Sequence, residues 1–205
     1  MEKLLIATRN RGKAKELASL LRGCPYQLTT LDEEGIDSEV EETGATLEEN
    51  ATLKAKTYMD ISGLPCLADD SALEVDALGG EPGIMSKRYG GLEKGTDAAR
   101  IAFLLQKLQN VREGKRTARF VSVVAVAWPG DRIELYRGEC QGVIVSKPRG
   151  ENGFGYDPVF FIPEMGKTMA ELSFEEKNRI SHRARAARKA LEGLKKKYAE
   201  GRHQS

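Results

Sequence analysis

Histidine and cysteine are the scarce residues of this sequence, and their scarcity removes whole classes of chemistry. There are two histidines, His182 and His203, and three cysteines, Cys24, Cys66 and Cys140, in 205 residues. No two cysteines form a CxxC pair, so neither a zinc framework nor a disulfide framework is available, and the thiols read as reduced. A serine–histidine–acid triad lacks material, because His203 falls in the tail and leaves one internal histidine. Excess charge of one sign is also missing: 32 Lys and Arg face 31 Asp and Glu. A globally basic nucleic-acid binder is thereby disfavoured, and nucleic acid is not an expected partner. Long apolar runs are absent too. Leu4-Leu5-Ile6-Ala7 is too short for a secretion signal, and nothing approaches the roughly 20 residues that cross a bilayer. The composition is that of a soluble cytoplasmic globule without a membrane partner.

What is present is length enough for a full core, as one large domain or a two-lobed unit. Leu4 to Thr8 reads as a buried first strand, and Asn10 as the cap of a helix with Leu17, Leu20 and Leu21 inward. Gly23-Cys24-Pro25 stops that helix. An acidic loop spans 32–44. Thr46 with Glu49 three residues on reads as a capping box, opening a helix through Tyr58 that ends at Gly63. Pro65 to Ala68 is a short strand delivering Asp69-Asp70, and 71–78 is mixed. Thr96 caps a third helix with Ile101, Leu104, Leu105 and Leu108 inward. Arg119 to Trp128 is an unusually long strand. Pro129-Gly130-Asp131 turns it into a strand over 133–137, and a further strand covers 141–145. A basic helix runs from Arg183 to Tyr198. Helices interleaved with early strands, then hairpins, predict a mixed α/β sheet with a long central strand.

Two cassettes carry the chemistry. Ala68-Asp69-Asp70-Ser71, leading into Leu78-Gly79-Gly80-Glu81-Pro82-Gly83, crowds carboxylates after an apolar stretch. That is costly without a cation, and Mg²⁺ takes one or two carboxylates plus water and phosphate. Glu41 or Glu42 of the acidic loop can supply the second. Gly153-Phe154-Gly155-Tyr156-Asp157-Pro158 sets a ring between glycines, where backbone can approach a ligand and Phe154 can stack on a base. Ser181-His182-Arg183 at a helix start, with Lys177 upstream, adds donors. Thr8-Arg9-Asn10-Arg11-Gly12-Lys13 lies where a strand gives way to a helix, a place suited to an anion. It matches neither the P-loop nor the dinucleotide fingerprint. Metal, phosphate and base chemistry converge on a nucleoside triphosphate.

In combination and in order, these segments resemble the inosine/xanthosine triphosphate pyrophosphatase family. The likeness also runs through Glu41-Glu42-Thr43-Gly44, Glu49-Asn50-Ala51, Lys54-Ala55-Lys56, Gly166-Lys167-Thr168 and Glu176-Lys177. Departures are Ala72, where the family usually has glycine, and Lys87, where a small residue is common. The resemblance implies one α/β domain over 1–205, two lobes around a nucleotide-binding cleft with helices on the faces, and a homodimer. It implies Mg²⁺-dependent release of pyrophosphate from ITP, dITP and XTP. Thr8, Arg9, Asn10, Arg11, Gly12, Lys13 and Lys54 would then hold the triphosphate. Glu41 and Asp70 would hold metal, with Asp70 also the proton acceptor. Ser71, Phe154, Gly155, Tyr156, Asp157, Lys177, His182 and Arg183 would contact the nucleotide. Two rivals stand beside this reading: a septum-formation type of nucleotide pyrophosphatase with other base preference, and a nucleotide- or RNA-binding module without turnover.

Overall fold

The computed structural model describes residues 2–92, 95–130 and 132–202; Asp131 of the expected turn and His203 lie outside them. The strands are β1 (Lys3–Ile6), β2 (Gln27–Thr30), β3 (Cys66–Val75), β4 (Pro82–Gly83), β5 (Thr117–Trp128), β6 (Arg132–Ile144), β7 (Phe160–Ile162) and β8 (Lys167–Thr168). The helices are α1 (Arg11–Leu20), α2 (Leu47–Ser62), α3 (Asp97–Lys107), α4 (Phe174–Ile180) and α5 (His182–Arg202), with single-turn 3₁₀ segments between them. The sheet order is β2-β1-β3-β5-β6-β7-β8, with β4 paired to β3. β1 is parallel to both β2 and β3, whereas β3–β4, β6–β7 and β7–β8 are antiparallel, so the sheet is mixed as expected. β5 is the long strand inside it, and its run from Val121 to Trp128 is buried throughout. Covered on both faces, such a strand reads as continuous apolar sequence instead of alternation.

The chain divides into two compact units. The first comprises 1–70, 122–138 and 183–205. Its core joins Leu4 and Ile6 of β1, Leu17 of α1, Leu67 of β3, Val124 and Val126 of β5, and the alanines Ala186, Ala187 and Ala190 of α5. Small residues on α5 let that helix pack closely, and Arg185, Arg188, Lys189, Lys195 and Lys196 lie on its exposed face. The second unit comprises 71–121 and 139–182. Its core joins Leu73 and Val75, Ile101 and Leu104 of α3, Phe120, and Val159, Phe160 and Ile162.

Local chemistry sets the helix starts. Asn10 Oδ1 accepts from the Lys13 amide at 3.0 Å, and Thr46 Oγ1 from the Glu49 amide at 3.1 Å. Glu49 does not complete the expected box: its carboxylate accepts from the Ala45 amide at 2.6 Å. Gly63 ends α2 in the left-handed region, φ +69°, which glycine enters without strain.

Several elements differ from expectation. β3 does not stop at Ala68 but runs through both aspartates to Val75. β6 is one strand where two were expected, because Gly138 and Glu139 continue the ladder. β2 and α4 were not anticipated: each is short, and β2 carries one apolar residue, Leu28.

Candidate active site

In the first unit the middle of β3 meets α1 and α2. Asp69 and Asp70 are adjacent in an extended strand, so their side chains leave in opposite directions. Both are buried, at 1% and 6% exposure. Asp69 Oδ2 lies 3.1 Å from Arg183 Nε and 3.2 Å from Lys13 Nζ. Arg183, 1% exposed, places Nη1 2.5 Å from Oε2 of Glu16 on α1. Burial alone would push the Asp69 carboxyl up. Lys13, Arg183 and Lys54 outweigh it and hold that carboxyl well below the usual range.

Asp70 turns to Lys54 of α2. The Lys54 ammonium donates to Glu42 Oε1 at 2.8 Å, to the Asp69 carbonyl at 2.7 Å and to Asp70 Oδ1 at 3.2 Å. Those three bonds use all three of its protons. Burial pushes the Asp70 carboxyl up; Lys54 and Lys13 oppose that, while Glu42 and Asp69 add to it, and the net direction is upward. One carboxylate of the pair is therefore fixed as an anion, and its neighbour sits closer to the protonated state. That division suits a base: a carboxyl lifted toward neutral pH accepts a proton more readily than an ordinary one.

The acidic loop reaches this place because it is tied down. Asn50 Oδ1 accepts from the Gly44 amide at 2.7 Å, and Tyr58 Oη donates to the Ser38 carbonyl at 3.0 Å. Arg9 donates to the Ile36 and Ser38 carbonyls and lies 3.2 Å from Asp32. Of the expected phosphate binders, then, Arg9 is engaged with the acidic loop, Arg11 is exposed, and Lys13 and Lys54 are engaged with the aspartates. Thr8 Oγ1 accepts from the Asn10 amide at 3.2 Å, shaping the turn into α1, and Gly12 is in its first turn.

The carboxylates fit a divalent cation. A hard oxygen donor, Asp70, is buried, and a second, Glu42, stands on the same Lys54 ammonium. Among the described residues no three His, Cys, Asp or Glu side chains converge as a complete metal cage. Mg²⁺ needs no such cage, since water and phosphate complete its shell. Of the two candidate second carboxylates, Glu42 stands on Lys54 beside Asp70, and Glu41 is exposed.

The second unit holds the other expected residues. Gly153, φ +78°, and Gly155, φ +65°, flank Phe154. A Cβ on Gly153 would fall 2.0 Å from Asp157 Oδ2, so only glycine leaves room for that carboxylate. Asp157 Oδ2 accepts from Lys177 Nζ at 2.6 Å and from the Phe154 amide at 3.0 Å. Lys177, 4% exposed on α4, also stands 4.7 Å from the centre of the Phe154 ring, a cation–π contact. His182 stacks on Phe120 at 4.7 Å and 18° and is 4% exposed. Tyr156 is buried and donates to the Ser86 carbonyl at 2.8 Å, and Ser71 follows Asp70 in β3, half-buried.

Arg183, also expected to contact the nucleotide, belongs to the first unit. Its guanidinium lies on Asp69 and Glu16, within the first unit. Glu16 itself was missed. The available signal was its spacing: four residues before Leu20 and beside Leu17, it falls on the buried stripe of α1.

A family model described as the Ham1 family matches residues 4–193. The chain is similar to the dITP/XTP pyrophosphatase of Symbiobacterium thermophilum, 48% identical over 200 residues that cover 98% of each chain. It is also similar to that of Geobacter sulfurreducens, 50% identical over 186 residues, 91% of this chain and 93% of the other. Among solved structures it resembles the Staphylococcus aureus Ham1 protein, with TM-score 0.84, 41% identity, and coverage of 96% and 100%. By sequence and by fold, over nearly its whole length, the chain belongs to the Ham1 family.

Proposed function

We propose that this chain, acting as one domain over 1–205, hydrolyses non-canonical purine nucleoside triphosphates, ITP, dITP and XTP, to the monophosphate and pyrophosphate. The observation that carries the reading is the split between two adjacent buried aspartates. Asp69 is paired with Lys13 and Arg183, whereas Asp70 faces Lys54 with Glu42 on the same ammonium, and burial pushes its carboxyl up against the pull of Lys54. The substrate class follows the relatives, which are dITP/XTP pyrophosphatases.

Asp70 takes the proton of a water whose oxygen attacks the α-phosphorus. The bond from that phosphorus to the bridging oxygen breaks, and pyrophosphate leaves. Lys54 orients Asp70 and keeps fixed positive charge beside it, while Lys13 and the N-terminus of α1 bind phosphate. Asp70, with Glu42 or Glu41, would hold Mg²⁺, which neutralises charge on the phosphates when bound. Phe154 stacks on the base, with Asp157, Lys177 and His182 supplying polar partners. Hypoxanthine and xanthine carry a C6 oxygen that accepts, where adenine carries an amino group that donates. Guanine shares the C6 oxygen, so it must be refused at C2. Mismatched buried polar groups give discrimination on the order of 10²–10⁵. A homodimer in the cytoplasm belongs to the same reading, and light scattering tests the dimer.

The test is pyrophosphate release from ITP, dITP, XTP, GTP, ATP and a pyrimidine triphosphate, with and without Mg²⁺. Release is expected with Mg²⁺, from the first three far ahead of GTP, and with ATP and the pyrimidine poorer still. Equal turnover of ATP and ITP sinks the base assignment. Nucleotide binding without release leaves a binding module.

A further inference from the structure

The loop that carries Phe154 is held from two directions, and one of them is unaccounted for by the chemistry above. The amide of Phe154 donates to Asp157, three residues on. The next amide, Gly155, donates at 2.7 Å to Oδ2 of Asp97, 58 residues away in sequence at the first position of α3. The other oxygen of Asp97 lies 2.5 Å from Arg100 Nη2. Arg100 is in turn fixed by the carbonyls of Leu92, at 3.1 Å, and Gly95, at 2.6 Å. A negative charge at the first turn of a helix would by itself be read as a complement to the dipole. Here the carboxylate also reaches a left-handed glycine in another loop.

Two glycines with positive φ flank Phe154, and such a segment loses much conformational freedom when it is fixed. One hydrogen bond on the Phe154 amide fixes one side of the ring's attachment. The bond from Gly155 to Asp97 fixes the other.

We propose that Asp97 is a positioning residue for base recognition: with Asp157, it clamps successive amides of the 153–157 loop and so sets the plane of Phe154. The proposal rests on Phe154 being the base platform, and it predicts an effect on base-bearing ligands alone. Hydrogen bonds to a charged group are strong enough that losing this one raises KM for ITP on the order of tenfold, with kcat nearly unchanged. Inhibition by inorganic tripolyphosphate, which has no base, stays at the wild-type level.

The experiment compares Asp97→Ala, Asp97→Asn and Thr96→Ala. Asn keeps an acceptor for Gly155 and restores most of KM. Thr96→Ala removes the cap of the same helix, where Thr96 Oγ1 accepts from the Ala99 amide at 3.2 Å, without touching the loop. It lowers stability and leaves KM alone. Amide exchange at Gly155 is the readout independent of activity: faster in Asp97→Ala, protected in Asp97→Asn and Thr96→Ala. Unchanged Gly155 exchange in Asp97→Ala overturns the proposal whatever the enzyme hydrolyses. So does a parallel loss of tripolyphosphate inhibition, which marks a general structural defect. If wild type fails to hydrolyse ITP, the functional reading fails, and the exchange result still decides the clamp.

Discussion

Around Asp70, buried and half-buried charges are paired in ion contacts: Lys13, Lys54 and Arg183 against Glu16, Glu42, Asp69 and Asp70. Around Phe154, a buried ion pair, Asp157–Lys177, stands among glycines and rings. In the first region charge holds charge, so removing one partner strands another. In the second, carboxylates hold backbone amides, so removing one loosens a loop. The same residue type, aspartate, therefore fails in different ways in the two regions, and within the first region even neighbours differ. Asp69 is an anion that the fold stabilises. Asp70 is an anion that burial in the fold disfavours.

Replacing Asp70 by Asn should produce the largest loss of activity. Removal of a general base costs roughly 10²–10⁴-fold in kcat. Stability should not suffer. With its folded pKa raised, ionised Asp70 weakens the fold once pH has risen through that value, and a neutral amide removes the penalty. Urea unfolding at pH 7 should show Asp70→Asn within about 1 kcal/mol of wild type or above it. A strongly destabilised variant would put Asp70 in the structural class.

Asp69→Asn breaks the comparison the other way. It leaves Arg183 and Lys13 facing one carboxylate fewer, and removing one partner of a buried pair costs about 3–5 kcal/mol. Since the folded pKa of Asp69 is lowered, its stabilisation is complete above the unfolded carboxylate range and is lost as pH falls through the folded value. The stability gap between wild type and Asp69→Asn should be full at pH 7 and shrink below about pH 4. A gap that widened toward acid would contradict the assignment.

Much of this was legible in the sequence because it depends on neighbours along the chain. Asn10 and Thr46 sit where a cap must sit, Gly63 where a helix must reverse, and Val121 to Trp128 is too apolar for an exposed strand. Asp70, Lys13, Phe154 and Lys177 stand out in the sequence because their types and order match a nucleotide-binding pattern. What could not be read depends on distant partners. Nothing local tells that Asp97 reaches Gly155, or that Arg183 turns to Asp69 and Glu16. Glu41 and Glu42 are adjacent in one loop, and only the packing of α2 beneath it selects Glu42 for Lys54. Gly138 looked like a break in a strand, yet the ladder continues through it. α4 left a signal that was passed over: Ser173 and Glu176 form a reciprocal capping box at its start.

The central claim is that the charged network performs the hydrolysis and the Phe154 loop chooses the base. The most direct test is the ratio of kcat/KM for ITP to that for ATP in Lys54→Met and in Phe154→Ala. Lys54→Met should lower both values together, leaving the ratio within about twofold of wild type, because fixed charge acts on phosphate and on Asp70 whatever the base. Phe154→Ala should carry the ratio most of the way toward unity, because discrimination is lost with the group that positions the base. A ratio that collapses in Lys54→Met and survives in Phe154→Ala would contradict the division of labour.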